Sequence, residues 1–194
     1  MMSLDQQRND FAARRFLAMP LAGTLMWAAV AIVSFFPSPS LHVWTLFIAT
    51  GCIAYVGILL SNFTGERFLD KSKPKNTFDS LFFHTVAMSL LVYAIAIPFF
   101  QIDYTSLPLT VGILSGLMWL PLSWIIEHWI GVFHAAVRTV AIVLVWYVFP
   151  DDRFLTIPLV IISVYAVTIW VLERRWRGIR RSNPKSILTA ESAQ

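Results

Sequence analysis

Six stretches of about twenty residues, almost empty of charge, succeed one another along this chain: 16–36, 41–60, 78–100, 107–126, 128–149 and 154–172. Nothing else in the sequence limits the fold so strongly. An α-helix rises about 1.5 Å per residue, so roughly twenty residues cross the ~30 Å hydrocarbon layer of a bilayer. Inside hydrocarbon each backbone N–H and C=O must find its partner within the protein, and helices achieve this within one segment. The sequence therefore predicts an all-α, polytopic membrane protein, with six transmembrane helices in a single bundle.

Composition agrees. Only 13% of the 194 residues are charged and 57% are hydrophobic. A soluble domain carries about 25% charged residues, so this chain lacks the surface a water-soluble globule needs. The single cysteine, Cys52, excludes a disulfide framework within one chain. No cysteine–histidine set with zinc spacing, no glycine-rich phosphate loop and no Gly-x-Ser-x-Gly elbow occurs. We accordingly expect no metal and no cofactor, and no nucleophile–base pair or carboxylate dyad points to an enzyme.

In order, the chain divides into a polar amino-terminal segment (1–15), a transmembrane domain (16–172) and a basic tail (173–194). A cleaved signal peptide would carry an apolar core of about 7–15 residues before a small-x-small site. The first run is longer and ends Ser34-Phe35-Phe36-Pro37, which favours an uncleaved span. Arg14-Arg15 then marks the inner end of that span, a simpler reading than a twin-arginine export signal. Pro37 and Pro39 make a tight connection to the second run. The long loop 61–76 follows, with Glu66, Arg67, Asp70, Lys71, Lys73 and Lys75. Short turns carrying Asp103 and Asp151-Asp152-Arg153 complete the connections.

Lysine and arginine placement sets the orientation. With the amino terminus inside, 13 of the 15 fall in inner segments, Arg153 alone in an outer turn, and Arg138 within a span. Such a bias predicts that both termini are cytoplasmic. It also directs the positive charge to anionic lipid headgroups rather than to nucleic acid. Partners are thus the lipid bilayer and those headgroups; a homo-oligomer is compatible with the sequence, which does not specify oligomeric state. Two sets of three spans would be oppositely oriented, as in inverted-repeat transporters, but the halves show no self-similarity.

The informative stretch is 117–138, where ionisable groups interrupt apolar runs. Glu127, His134 and Arg138 fall along one stripe of the fifth helix, the last two one turn apart. Arg138 either faces the bundle interior, where a charge at membrane depth marks function, or leans back to the cytoplasmic surface. An Arg138→Lys replacement separates these readings, because lysine keeps the charge but loses the planar fork. An interior Arg138 has no deep carboxylate to pair with, which leaves carbonyls near Pro121, the hydroxyls of Ser89, Ser115 or Ser123, or an anionic ligand. Pro121 should kink the fourth helix and free the carbonyl of Leu117, bringing Arg138 against that turn. Gly112 and Gly116 form a small-residue face for close helix approach. Candidate ligand-binding residues are therefore Arg138, His134, Glu127, His128 and His84; the two last read more simply as interfacial polar residues. Trp119, Trp124 and Trp129 read as anchors and packing.

The segments Leu21–Trp27, Gly57–Ser61 and above all Leu120–Trp124 within Trp119–Trp124 give a further lead. Through them the chain resembles a family of small bacterial six-helix membrane proteins catalogued as a domain of unknown function. That resemblance implies the fold and a bacterial inner-membrane location, and brings no substrate or catalytic residues. Function stays open between two classes. One is a small transporter or channel-like protein with a site near Arg138. The other is a non-transporting protein that packs with or recruits partners through its basic loop and tail. A polar cavity reaching Arg138 favours the first, and a dry, close-packed bundle the second.

Overall fold

Ser3 starts the first helix with a reciprocal cap: its Oγ accepts from the Gln6 N–H (3.2 Å), while Gln6 Oε1 accepts from the Ser3 N–H (2.9 Å). In the computed structural model, which describes residues 2–69 and 76–182, this helix, α1, runs Leu4–Ala12. Among the described residues all regular structure is helical: α2 (Ala18–Val33), α3 (Pro39–Thr64), α4 (Thr77–Leu91), α5 (Tyr93–Ile102), α6 (Ser106–Gly116), α7 (Trp119–Ile125), α8 (Ile130–Val148) and α9 (Arg153–Ser182). Five helical segments are long and apolar enough to cross a bilayer, α4–α5 and α6–α7 each counting as one, and α2 is a shorter apolar helix.

Several boundaries have a local cause. Phe16 turns the chain with a left-handed backbone (φ 59°), so α2 begins at Ala18, two residues later than expected. No side chain near Leu17 caps α2. Instead Glu66, 49 residues away, lies buried with Oε1 accepting from the Leu17 and Ala18 N–H groups (2.8 Å each). Beyond Val33 the helix tightens into i→i+3 turns, with Phe36 donating to the Val33 carbonyl (3.0 Å). Ser38 caps α3 and Pro39 opens it. α3 runs on through Ser61–Thr64, four residues into the expected loop 61–76, because nothing stops an apolar helix before Gly65 closes it at φ 78°. The expected loop charges Asp70, Lys71, Lys73 and Lys75 lie outside the described residues, as do Lys185 and the rest of the tail from 183.

Pro121 interrupts the fourth apolar run as expected, but the break falls one turn earlier, at Leu117–Met118. Proline cannot donate to the Leu117 carbonyl. The Leu120 N–H takes that acceptor instead (3.1 Å), tightening the turn between α6 and α7. Leu117 therefore presents no free carbonyl to Arg138.

Half of the residues of α2 are buried. α2 packs on α3 and α9 and buries Trp27, Met19 and Val30. Two glycines let neighbours approach: Gly23 lies under the Tyr165 ring and Gly57 against Met19. α8 packs on α9, α6 and α7. Outward faces carry Ile48, Leu59, Leu91, Ile102, Val140 and Leu144, all exposed, as a lipid-facing surface requires. Ion pairs gather the two ends. Arg8 with Glu127, Arg14 with Asp79 and Arg15 with Glu173 bind α1 and its exit to the 127 turn, α4 and α9. At the other end Arg153 sits over the Trp146 ring, donates to Thr105 Oγ1 (2.6 Å) and lies 3.6 Å from Asp103.

Candidate functional site

α8 carries the site because two of its residues, one turn apart, face inward. His134 is fully buried and Arg138 is 1% exposed. Arg138 lies eight residues into the helix, about 12 Å along its axis. The guanidinium does not reach the surface, so of the two readings open in the sequence the structure has the interior one. Ser115 and Gly116 of α6 receive its stem and head. A Cβ built on Gly116 would stand 3.0 Å from Arg138 Cδ and 3.1 Å from Nε, so a side chain there would have to push the arginine back by a few tenths of an ångström. Gly112, one turn away, similarly admits Ile142 of α8 and Ile161 of α9. Arg138 thus meets the fourth apolar run as expected, at Ser115–Gly116 rather than at the Pro121 turn.

The hydrogen bonds assign the imidazole. Thr168 Oγ1 donates to the Val164 carbonyl (2.8 Å), so its lone pairs face His134 Nδ1 at 2.9 Å. Nδ1 is therefore the protonated nitrogen, and Nε2 presents a lone pair to Arg138 Nη1 at 3.4 Å. Nη1 also donates to Tyr165 Oη (3.4 Å) and Nη2 to Ser115 Oγ (3.1 Å). The His134 ring stacks on Trp119 (centroids 4.3 Å apart, 23° between planes) and lies 4.8 Å from the Tyr165 ring. The Trp27 and Tyr165 rings stand 5.8 and 5.6 Å from the guanidinium carbon, within cation–π range.

The structure separates the other sequence candidates from this pair. Glu127 lies at the bundle end, its side chain largely exposed and paired with Arg8. Its stripe is broken because the backbone turns at Glu127 (φ 48°) before α8 begins at Ile130. His128 sits in the same turn, accepting from the Ile130 N–H (3.3 Å) and stacking on Trp129. Partial burial, and secondarily the charge of Arg175, lower its pKa below the usual histidine value. His84 is exposed on α4, bonded to the carbonyl of Ser80 (2.6 Å). Of the three hydroxyls weighed for Arg138, Ser115 is the partner. Ser89 bonds its own helix, and Ser123 ties the 123–132 turn through the His128 carbonyl and the Val132 N–H.

Tyr165, Thr168 and Trp27 are partners that sequence reading did not single out. A signal existed for the first two: buried residues of α9 recur as Ile157, Ile161, Val164, Tyr165, Thr168 and Leu172. That is a helical stripe whose two polar members had to find partners inside. Beside the cluster lies a mostly apolar cavity of about 50 Å³; Thr50, Ser89, Tyr93, Ser115 and Tyr165 are its hydroxyl-bearing lining residues, and neither Arg138 nor His134 borders it. Tyr93 Oη and Thr50 Oγ1 are 2.5 Å apart. α3 and the α4–α5 segment meet only sparsely where they flank it. Among the described residues no group of three or more His, Cys, Asp or Glu side chains is placed to hold a metal ion.

Comparison with known proteins gives one match: residues 4–175 fit the model of a family described as a family of unknown function, DUF7010. No curated protein and no solved structure matches.

Proposed function

The chain belongs to this family of unknown function, and we propose from its own geometry that it is a six-span membrane protein with a transporter or channel-like role centred on Arg138 and His134. One observation carries the reading: a cation and an imidazole are enclosed at depth in an apolar bundle, and two of the hydroxyls beside them belong to residues, Ser115 and Tyr165, that border a mostly apolar cavity. Ionisable groups at such depth are costly and line solute or proton pathways. α2 serves as the first span, its sixteen residues covering about 24 Å and the turns to Phe36 the remainder. Arg8–Glu127 and Arg15–Glu173 group the amino terminus, the middle turn and the carboxyl-terminal part of α9 at one end, and Arg153–Asp103 groups the outer turns at the other. This grouping supports an even number of crossings. The basic end faces the cytoplasm of a bacterial inner membrane, where Arg174, Arg180 and Arg181 meet anionic headgroups.

Partner recruitment through the basic face has less support. Arg8, Arg14, Arg15 and Arg177 are already paired with carboxylates of the same chain. Two measurements test the proposal. Cysteines placed at Ser40 and Asp151 should label from the periplasmic side; labelling only from the cytoplasmic side refutes the topology. Liposomes containing the protein should admit a small solute in an osmotic swelling panel, and Arg138→Gln should abolish the uptake. Swelling no faster than in protein-free liposomes across the panel refutes transport.

A further inference from the structure

Counting donors around Arg138 gives an imbalance. A guanidinium has five N–H hydrogens and no acceptor. Three point at His134, Tyr165 and Ser115, all neutral groups. Two are left, one of them on Nε, which is buried without a partner. Trp27 Nε1, fully enclosed about the same guanidinium, has no acceptor either. Ser115 already gives its own hydrogen to the Val111 carbonyl (2.5 Å), and no acceptor stands at the Tyr165 hydroxyl hydrogen. Among the described residues no carboxylate is bonded to Arg138 or His134: Asp79, Glu127 and Glu173 are paired with arginines at the bundle end, and the buried Glu66, which shares a neighbouring pocket with Trp119, caps the start of α2. One positive charge and a surplus of hydrogen-bond donors are thus left in a medium where each is expensive to leave unmatched.

Arg138 and Trp27 do not line the neighbouring cavity, but two of the groups bonded to the guanidinium, Tyr165 and Ser115, do. Its volume, about 50 Å³, holds roughly four water-sized bodies. Space of that size suits a halide, nitrate, formate or bicarbonate better than a nucleotide, a sugar phosphate or a lipid headgroup. We propose that a small monovalent anion binds in this cavity. The Tyr165 O–H donates to it, Ser115 turns its hydroxyl from the Val111 carbonyl to do the same, and Arg138 supplies the balancing charge one hydroxyl behind. The low dielectric at this depth strengthens the pairing. Tyr93 and Thr50, hydrogen-bonded to each other, also line it. This names a ligand class for the site proposed above and rests on that reading for the ligand's passage, though not for its binding.

Radiolabelled chloride binding to the purified full chain in lipid nanodiscs tests the proposal, with gluconate maintaining ionic strength. We expect saturable binding of one chloride per chain, displaced by nitrate and bromide and not by gluconate or phosphate. Tyr165→Phe, which keeps the ring and removes the donor, should weaken binding at least about tenfold; Ser115→Ala should weaken it less. Arg138→Gln should abolish it, and if that variant does not fold, Tyr165→Phe still decides. Absence of saturable binding to the folded parent overturns the proposal, as does undiminished binding by Tyr165→Phe. Solute flux without chloride binding would remove the anion and keep transport. Chloride binding without flux would do the reverse.

Discussion

Gly23→Ala places one methyl group where the structure has the Tyr165 ring. The added Cβ would stand 2.5 Å from Tyr165 Cζ and Oη and 2.8 Å from Cε2, where ordinary contact begins at 3.4 Å. The ring must therefore retreat by about 0.9 Å. It is buried between His134, Trp119 and Arg138, so retreat means repacking. Overpacking of this kind costs about 1–3 kcal/mol. The Arg138–Tyr165 hydrogen bond, already 3.4 Å long, would be lost at a further ~0.6 kcal/mol. Opposing this, alanine in a helix is favoured over glycine by up to ~1 kcal/mol. The net expectation is a loss of about 1–3 kcal/mol, which at ~2–4 °C per kcal/mol lowers the melting temperature by about 2–12 °C. Gly51→Ala is the internal control, because nothing lies within 4 Å of its added Cβ; it should melt with the parent or slightly above. Unfolding followed by tryptophan emission in detergent measures both. A Gly23→Ala protein as stable as Gly51→Ala refutes the packing argument, and with it the placement of Tyr165 against α2.

Other perturbations test the surroundings. Glu66→Ala removes the acceptor for two N–H groups at the start of α2 and should cost about 1–3 kcal/mol; Glu66→Gln, which keeps an acceptor oxygen, should cost clearly less, and equal melting of parent and both variants would refute the cap. Thr168→Val leaves His134 Nδ1 without its partner and should cost about 0.6–1.7 kcal/mol, whereas no loss would show that the hydroxyl is not engaged. Asp79→Asn dissolves a two-pronged pair with Arg14, and its deficit of up to about 1 kcal/mol should shrink as salt rises from ~0.1 to ~1 M and the screening length falls from ~10 to ~3 Å. A salt-independent deficit would refute its electrostatic origin.

The apolar runs, the prolines flanking α3, the Pro121 interruption and the Gly112–Gly116 face were legible because each acts on its own neighbourhood. Arg138 was legible as an exception, and its pairing with His134 as a one-turn spacing. What escaped depends on tertiary proximity. Glu66 sits among charges that read as a solvated loop, and its role exists only because the start of α2 folds back 49 residues onto it. The break at Val92 carries no proline or glycine of its own, so nothing in that stretch announces it. Glu127 was grouped with Arg138 by assuming a helix continuous from His128, and one left-handed residue removes it. α1 was missed although its capping box, Ser3 with Gln6, stood in the sequence. Its polar composition masked the helix signal.

The way α1 is held has a consequence for the order of assembly. Arg15 waits for Glu173, 158 residues downstream, and the Ala12 carbonyl for Arg175, 163 residues downstream. At a synthesis rate of about 5–20 residues per second, those partners leave the ribosome roughly 8–30 seconds after the segment they secure. α1 itself can settle earlier, on α4 through Arg14–Asp79, but the segment that leaves it is closed only when α9 arrives. Nascent chains arrested before residue 173 should leave the Ala12–Arg15 segment more open to protease than it is in the released full chain.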